Sequence, residues 1–335
     1  MRATRAIEAH GGKWQAVALP TNSAYLSPAR LPGLLKGLAA LLRARREGLD
    51  LVWLQFSNLA DLTYLAWAKL LGLPVLVTPH LGANSRLQRS PLLRRVSASL
   101  LTLADRLALL FEGQEEEILL PRRVPRSVIR TFLPEASLTA APADRSSQPL
   151  QLIHASRLSK GKGSFRMLDL CTEMQRRDID FTARIIGRAE PDILARIRRQ
   201  IASAGLETRV SLEDWMAEEA LLTALGEADI LVHLSTLDSF PLIVLEAMAM
   251  GTMPVVLDMA GVRAMVTSYD GLVVPAGDAV AQAADRVATL SPAEMRARGA
   301  LMAGRVRTDH AWSAVVARLV PTFDETAGVR AALKA

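Results

Sequence analysis

Residues 230–257 run ILVHLSTLDSFPLIVLEAMAMGTMPVVL. The segment begins and ends with short, largely apolar runs, Ile230–Leu234 and Met253–Leu257, whose length suits buried strands. Between them, Leu242–Met250 is apolar over about two helical turns and follows a proline, which is well tolerated at a helix start. A strand, a helix and a second strand predict a parallel βαβ unit whose sheet is covered on both faces.

The same alternation of short apolar runs and helical patterns extends through the chain in both directions. Further strands are predicted at Leu51–Phe56, Pro74–Thr78, Leu107–Phe111, Leu150–Ala155, Phe181–Ile186, Arg209–Leu212 and Leu272–Val274. Further helices are predicted at Leu59–Leu71, Arg89–Leu103, Ser164–Arg176, Ile193–Ala204 and Glu218–Leu225. This pattern predicts an α/β protein with doubly wound parallel sheets, in which ligands bind at the carboxyl ends of the strands.

Length and composition favour two such domains. The chain has 335 residues, 50% of them hydrophobic and 22% charged, as in ordinary globular proteins. At about 100–200 residues per domain, this length fits two domains with a core each. The segment 134–149 is rich in Pro, Ala and Ser and has no periodic apolar face, which is typical of a linker. We therefore expect one domain over residues 1–148 and a second beginning at 149.

Several classes of protein are excluded by composition. Cys171 is the only cysteine, which excludes a disulfide framework and any multi-cysteine zinc site. No uncharged apolar run reaches the ~20 residues that span a bilayer. The first fourteen residues are polar and lack the apolar core of a signal peptide. We therefore expect a cytoplasmic protein.

Positive charge is concentrated in the first half of the chain. Residues 1–150 hold 19 basic and 11 acidic side chains, a net of +8, whereas the rest has a net of −2. This asymmetry favours an anionic partner such as nucleic acid, acidic lipid or a phosphorylated substrate. The alternative is an arginine-rich solvated surface, since arginine outnumbers lysine 34 to 6. Nucleic acid is disfavoured, because aromatic residues make up only 4% of the chain and no stacking platform is recognisable.

Two clusters of arginines carry most of this charge. They are Arg86, Arg89, Arg94 and Arg95, interleaved with Leu92 and Leu93, and Arg122, Arg123, Arg126 and Arg130 further along. The first cluster is typical of a helix that lies on an anionic membrane. A solvated helical face is the alternative.

The segment 154–163, HASRLSKGKG, lies between a predicted strand and a predicted helix. The amide groups and dipole of a helix N-terminus favour phosphate, and Arg157, Lys160 and Lys162 add cations there. Arg157 offers a planar fork, whereas the lysines act as point charges. The loop does not match a Walker A sequence, and a solvated basic turn remains the alternative.

Two carboxylates flank the start of the helix after residue 240. Glu246 lies in an otherwise apolar helix and needs hydrogen-bond donors, which sugar hydroxyls supply well. Asp238 precedes the helix, where it could cap the N-terminus or accept from a ligand. The alternative is a simple cap and one exposed glutamate.

These segments together resemble the donor-binding domain of retaining GT-B glycosyltransferases of glycosyltransferase family 4. The matching stretches are Ser156-Arg157-Leu158…Lys162-Gly163, Asp238-Ser239-Phe240-Pro241…Glu246, Glu246-Ala-Met-Ala-Met-Gly251 and Gly271-Leu-Val-Val-Pro275-Ala-Gly-Asp278. The resemblance covers about residues 50–325 and is most specific over 150–325. It implies two Rossmann-like domains facing a cleft, with the donor domain at 149–310. Because Trp312 lies where the family's last helix begins, it also implies that a helix at 311–335 crosses back to the first domain.

The resemblance implies an activity and residue roles. It implies transfer of a hexosyl unit, with retention, from a UDP- or GDP-sugar to a glycan or lipid-linked acceptor, without a metal ion or other cofactor. Arg157 and Lys162 would neutralise the donor diphosphate, Glu246 would accept from the ribose, and Asp238 would lie near the sugar. Further donor contacts are expected from Ser239, Phe240, Pro241, Leu242 and Gly261.

In the first half, Val77–Gly82 resembles the family's Thr-x-His loop, in which the histidine approaches the transferred sugar. His80 is therefore a candidate catalytic residue. A histidine that only hydrogen-bonds within its loop is the alternative.

Two features depart from the family pattern. Residues 1–10 look like a helix that ends at Gly11-Gly12 and is followed by a strand, so that the first βα unit of the domain is absent. Asp238 stands where the family more often has glutamate. These departures keep open an alternative function, a non-catalytic or degenerate GT-B subunit that binds sugar nucleotide or a partner without turnover.

Overall fold

The structure, a computed structural model, describes residues 1–21, 28–140 and 149–332. Its α-helices are α1 (Arg2–His10), α2 (Leu31–Arg46), α3 (Asp61–Leu70), α4 (Arg86–Arg89), α5 (Pro91–Leu100), α6 (Gln114–Glu117), α7 (Glu135–Thr139), α8 (Ser164–Arg176), α9 (Pro191–Ser203), α10 (Glu218–Glu227), α11 (Leu242–Ala249), α12 (Ala260–Thr267), α13 (Ala279–Ala288), α14 (Pro292–His310) and α15 (Trp312–Ala332). Its strands are β1 (Val52–Phe56), β2 (Val75–Pro79), β3 (Arg106–Leu109), β4 (Arg126–Val128), β5 (Leu150–Ala155), β6 (Phe181–Ile186), β7 (Val210–Glu213), β8 (Ile230–His233), β9 (Met253–Leu257) and β10 (Leu272–Val274). Short 3₁₀ turns lie at Pro28–Arg30, Leu101–Leu103 and Ala276–Asp278.

The chain divides into two compact units. The first comprises Met1–Phe132 with Ala311–Ala335, and the second comprises Leu133–His310. The division falls earlier than the boundary expected at residue 148. Leu133 is fully buried in the core of the second unit, and α7 packs there too, so the start of the expected linker is a helix. Residues 141–148 of that linker lie outside the described residues.

The first unit is built on a parallel sheet in the order β1-β2-β3-β4. Strand β2 is buried over its whole length, because successive side chains point to opposite faces and both faces are covered. On one face Val75 and Val77 pack in a core with Leu65 of α3. On the other, Leu76 packs in a core formed with α1 and α15, which includes Phe323.

The strand expected after Gly11-Gly12 is wrong, because residues 13–21 form no strand. The Trp14 indole N–H donates to Asp324 at 3.0 Å, and the ring lies 5.3 Å from Phe323. Trp14 therefore packs against α15, whereas Val17 is 74% exposed and Leu19 packs in the core with β1 and α3.

The helix expected over Arg89–Leu103 is interrupted. Ser90 is extended between α4 and α5, because the following Pro91 disfavours the helical conformation at the preceding residue. The Ser90 hydroxyl then accepts from the Leu93 amide and caps α5. Strand β4 was not expected, since it has only three residues and lies among prolines and arginines.

The second unit has a parallel six-stranded sheet in the order β10-β9-β8-β5-β6-β7. The expected strands and helices of this half are confirmed, with shifts of one or two residues at their ends. From β5 the chain winds outward through β6 and β7, then returns to β8 on the other side of β5. The strand order therefore reverses between β5 and β8, and ligands of open α/β sheets bind where it does so.

Candidate functional site

The loop that follows β5, Ser156–Gly163, is held by hydroxyl groups. The Ser164 hydroxyl accepts from the Ser159 amide at 3.1 Å, and the Ser159 hydroxyl accepts from the Lys162 amide at 3.2 Å. These bonds curl the loop into the N-terminus of α8. The loop's own hydrogen bonds thus position the backbone of Lys162 independently of the contacts of its side chain.

Two glycines allow this loop to lie against the residues that follow β8. Gly163 has φ +87°, and a Cβ atom there would lie 2.5 Å from the Leu234 carbonyl oxygen. The Gly161 carbonyl accepts from the Thr236 amide at 2.9 Å. The two loops are therefore tied together where the strand order reverses, although they lie more than seventy residues apart in the chain.

A cavity of about 490 Å³ opens between these loops, within the second unit. Its size lies in the range of about 300–1,000 Å³ typical of small-molecule sites. It is lined by Ala155, Ser156, Arg157, Lys162, Ile186, Gly187, Arg188, Trp215, Met216, Leu221, His233, Asp238, Pro241, Leu242, Ile243 and Glu246.

A row of three ionisable side chains forms one wall. The Lys162 ammonium donates to Asp238 Oδ1, and His233 Nε2 lies 3.1 Å from Asp238 Oδ2. Burial alone raises the pKa of the Asp238 carboxyl, but the hydrogen bonds from His233 and Lys162 outweigh it and hold this pKa well below its usual range. Asp238 is therefore a carboxylate throughout the physiological range.

A second histidine lies beneath this row. His154 Nδ1 is 2.9 Å from the Val232 carbonyl oxygen, which can only accept, so Nδ1 carries the proton. Nε2 is then the acceptor, and the hydroxyl oxygens of Ser156 and Ser164 each lie 3.1 Å from this nitrogen, which has one lone pair. Burial lowers the pKa of His154 to about 4, so the ring is neutral at physiological pH and supports the floor of the site.

Arg157 differs from Lys162 in its environment. Its side chain is exposed at the cavity rim, and no side chain in the described ranges forms an ion pair with it. Lys160, in the same loop, is exposed and does not line the cavity. The loop thus places one unpaired guanidinium and one carboxylate-bound ammonium at the cavity.

The N-terminus of α11 also lines the cavity. Pro241 precedes the helix in an extended conformation, and Leu242 begins it. The first amides of a helix have no partner within it, so they are available to a ligand. Glu246, one turn further along, lines the same cavity and is half-buried.

Sequence reasoning missed the third side of the site. Trp215 is 60% exposed, and the guanidinium carbon of Arg188 lies 5.4 Å from the centre of its ring. Arg188 also pairs with Asp214 at 3.2 Å. A tryptophan two residues after β7 was the available signal, and the aromatic plane offers a stacking surface. His233 was missed too, because as a member of an apolar strand it resembles a core residue.

The remaining expected residues lie elsewhere. Ser239 and Phe240 stand between the two carboxylates but do not line the cavity, and Gly261 is buried within α12. His80 belongs to the first unit, at the end of β2, where its Nε2 lies 2.6 Å from Gln55 Oε1. The structure thus brings together Arg157, Lys162, Asp238, Pro241, Leu242 and Glu246.

Two negative findings concern the described ranges. No group of three or more His, Cys, Asp or Glu side chains there is arranged to hold a metal ion. Over the same residues, no helix combines the length and the apolar character needed to cross a bilayer.

Part of the second unit matches a known family. Residues 138–299, slightly less than half of the chain, match the family described as glycosyl transferases group 1. This stretch contains the whole cavity lining. The matched stretch lies within the second unit.

Two curated proteins illustrate the sequence relatives. The amylovoran biosynthesis glycosyltransferase AmsK of Erwinia amylovora is 30% identical over 148 residues, 42% of this chain and 36% of that protein. The GDP-mannose:cellobiosyl-diphosphopolyprenol alpha-mannosyltransferase of Xanthomonas campestris is 30% identical over 182 residues, 53% of this chain and 47% of that protein. The similarity thus spans less than half the length of either relative.

Solved structures extend the likeness to the whole fold. HepE of Anabaena, crystallised in complex with UDP, superposes with a TM-score of 0.67 at 20% identity and covers 90% of this chain and 84% of its own. Sucrose-phosphate synthase of Thermosynechococcus elongatus gives a TM-score of 0.68 at 20% identity, covering 90% and 80%. The expected fold class is confirmed: two parallel-sheet, Rossmann-like α/β domains that match GT-B glycosyltransferases.

Proposed function

We propose that this chain is a glycosyltransferase that moves a hexosyl unit from a nucleoside diphosphate sugar to a glycan or lipid-linked acceptor, with retention of configuration. The observation that carries the proposal is the position of Arg157 and Lys162 at one cavity with Glu246. Two cations at a helix N-terminus suit a diphosphate, and a carboxylate within the same cavity suits the hydroxyls of a sugar.

In this proposal the two cations stabilise the leaving group. As the bond between the anomeric carbon and the diphosphate oxygen breaks, negative charge grows on the diphosphate. Arg157 and Lys162 lie where they can bind that charge, which lowers the barrier without a metal ion. The acceptor hydroxyl forms the new bond on the face that the diphosphate leaves, and its proton passes to a phosphate oxygen.

The other lining residues suit the rest of the donor. Glu246 accepts hydrogen bonds from the ribose hydroxyls, and Asp238 accepts from the transferred sugar. Trp215 and Arg188 provide a plane on which a nucleobase can stack. UDP and GDP are the candidate nucleotides, since HepE was crystallised with UDP and the Xanthomonas campestris relative is a GDP-mannose-dependent mannosyltransferase. His80, in the first unit, stays a candidate catalytic residue.

The proposal includes peripheral contact between the first unit and an anionic membrane on the cytoplasmic side. On α5, Leu92 is 70% exposed and Val96 is 38% exposed, and both lie on one helical face. Arg94 and Arg95 beside them are also exposed. Exposed apolar side chains among arginines suit the boundary between lipid headgroups and acyl chains.

The second arginine cluster supports this contact less. Arg122 and Arg123 are exposed, but Arg126 pairs with Glu115 at 3.3 Å. Leu93 of the first cluster packs in the core of its own unit and is not part of the exposed face.

A panel of nucleotide sugars tests the proposed activity. A ligand that binds only the native state stabilises it and so raises the melting temperature. The stabilisation is about 2.7 kcal/mol when the free ligand concentration is a hundred times Kd. We expect one UDP- or GDP-sugar to do so, and to be slowly hydrolysed, with release of the nucleoside diphosphate that EDTA does not prevent. If no nucleotide sugar shifts the melting temperature, the proposal is wrong. Binding without turnover, whatever the acceptor, would favour the non-catalytic subunit instead.

A further inference from the structure

Asp238 receives hydrogen bonds from two sides. Lys162 donates to one oxygen and His233 lies 3.1 Å from the other. The carboxylate side chain is only 19% exposed and that of His233 only 3%. A carboxylate this sheltered from water depends on its partners, because removing one leaves a partly buried charge without compensation.

The tautomer of His233 follows from this geometry. An ionised carboxylate can only accept, so Nε2 of His233 carries the proton. Its Nδ1 is buried and has no hydrogen-bond partner among the described residues. Among the described residues, the hydrogen bond to Asp238 is therefore the only one that orients the ring.

The charged and titratable groups around the pair come from each neighbouring element. They are Lys162 and Arg157 of the loop after β5, His154 of β5, Arg166 of α8 and Glu246 of α11. Arg166 donates to the Leu234 carbonyl at 3.2 Å, and His154 is committed to the Val232 carbonyl. These hydrogen bonds direct both side chains to backbone carbonyls and not to Asp238.

We propose that donor binding is an exchange of partners at Lys162, and that His233 is the positioning residue that keeps Asp238 ionised and in place when the ammonium turns to the donor diphosphate. This inference rests on the proposed function, since it takes the diphosphate to be the incoming anion. Lys162 lines the cavity while it holds Asp238, so an anion in the cavity competes for the same three N–H donors.

The exchange has a physical requirement. Once Lys162 turns away, Asp238 keeps the bonds from His233 and the Ser235 hydroxyl, together with whatever the donor supplies. Without His233, the carboxylate would have to rely on the Ser235 hydroxyl alone or take up a proton. Binding of the diphosphate would then become weaker and dependent on pH.

Two variants separate this role from a structural one. His233→Leu fills similar space without a donor, whereas His233→Gln can place an amide N–H near the position of Nε2. The ligands are UDP-glucose and GDP-mannose, whose diphosphate keeps its charge between pH 5 and pH 8, together with uridine and guanosine, which lack a diphosphate. Affinities are measured by titration calorimetry, after circular dichroism shows that each variant is folded.

We expect His233→Leu to bind the nucleotide sugar about tenfold more weakly at pH 8, the loss expected when a charged group loses one hydrogen bond. The affinity of this variant should recover as the pH falls to 5, since Asp238 then takes up a proton on binding. His233→Gln should bind within about twofold of the wild type, and the nucleoside should bind all three proteins equally.

The inference is wrong if His233→Leu binds the nucleotide sugar as the wild type does, if it weakens nucleoside and nucleotide sugar alike, or if His233→Gln gives no rescue. These failures differ from failure of the proposed function, in which the wild-type protein itself binds no nucleotide sugar of the panel.

Discussion

A Cβ atom on Gly187 would lie 1.8 Å from the carbonyl oxygen of Ser156. Gly187 follows β6 and Ser156 follows β5, and both line the cavity. Gly187 also has φ +147°, and its N–H donates to the Glu213 carbonyl at 3.1 Å. Glycine is thus what allows the carboxyl ends of two neighbouring strands to meet at the cavity wall.

We expect Gly187→Ala to lower the free energy of unfolding by about 2 kcal/mol or more and to weaken nucleotide-sugar binding. The methyl group must push Ser156, and with it the anion-binding loop, away from β6. Urea denaturation and calorimetric titration measure the two effects.

The control is Gly205→Ala. Gly205 has φ +63° but open space around its Cβ position, so only backbone strain of about 1 kcal/mol applies there. Equal stability loss in the two variants would show that the contact with Ser156 is unimportant.

Arg157→Ala and Lys162→Ala should each weaken the binding of the nucleotide sugar identified by the panel about tenfold. Each removes a charged hydrogen-bond donor, and such bonds contribute about 1.5–3 kcal/mol. Lys160→Ala is the matched control, because Lys160 lies in the same loop and is exposed but does not line the cavity. Titration calorimetry at fixed ionic strength gives the affinities.

An equal loss in all three lysine and arginine variants would mean that the loop attracts anions only through its overall charge. Unchanged affinity in both Arg157→Ala and Lys162→Ala would remove the diphosphate site from the cavity.

Stability should fall as the pH is lowered from about 6.5 to about 4, in part because of His154. Burial lowers the pKa of His154 to about 4, below its ordinary value of 6.5 in an unfolded chain. Between these pH values the unfolded chain binds the proton more tightly, so unfolding becomes more favourable as the pH falls. Because the two pKa values differ by about 2.5, His154 can change the free energy of unfolding by at most about 3 kcal/mol over this pH range.

His154→Asn isolates this contribution, since the asparagine amide can still donate to the Val232 carbonyl but does not titrate. We expect the variant to lose less stability than the wild type between pH 6.5 and pH 4 in urea denaturation. Parallel curves for the two proteins would assign the pH dependence to other groups.

Reversing two charges on α5, in the double variant Arg94→Glu/Arg95→Glu, should reduce sedimentation with vesicles containing phosphatidylglycerol. Each basic residue near an anionic surface contributes about 1 kcal/mol. The control is Arg198→Glu/Arg199→Glu on α9, two neighbouring exposed arginines whose reversal changes the net charge equally. If both double variants lose binding to the same extent, the attraction reflects net charge and the α5 face is not a membrane contact.

Local sequence was sufficient for the strands of the second unit and for helices α8 to α11, whereas α7 and α12 to α14 were not predicted. These strands are short, largely apolar and separated by helical patterns, so each one is specified by its own neighbours. The same holds for the loop that carries Arg157 and Lys162 and for the helix that carries Glu246, since their order along the chain places them at strand ends.

Local sequence failed where long-range packing decides. Residues 13–21 contain enough apolar side chains for a strand, yet Trp14 bonds to Asp324, 310 residues away. Trp215 and Arg188 follow different strands, and nothing in the sequence of either segment predicts that the two side chains contact each other at the cavity.

From the sequence alone it could be determined that the chain forms α/β units with a basic loop, two carboxylates and a positively charged first half. Only the tertiary structure decided that β5 lies beside β8, and therefore that Lys162 meets Asp238 and His233. Secondary structure depends on neighbours a few residues apart, whereas strand order depends on burial across a whole unit. The chemistry of the site depends on that order, because these side chains come from separate segments of the chain.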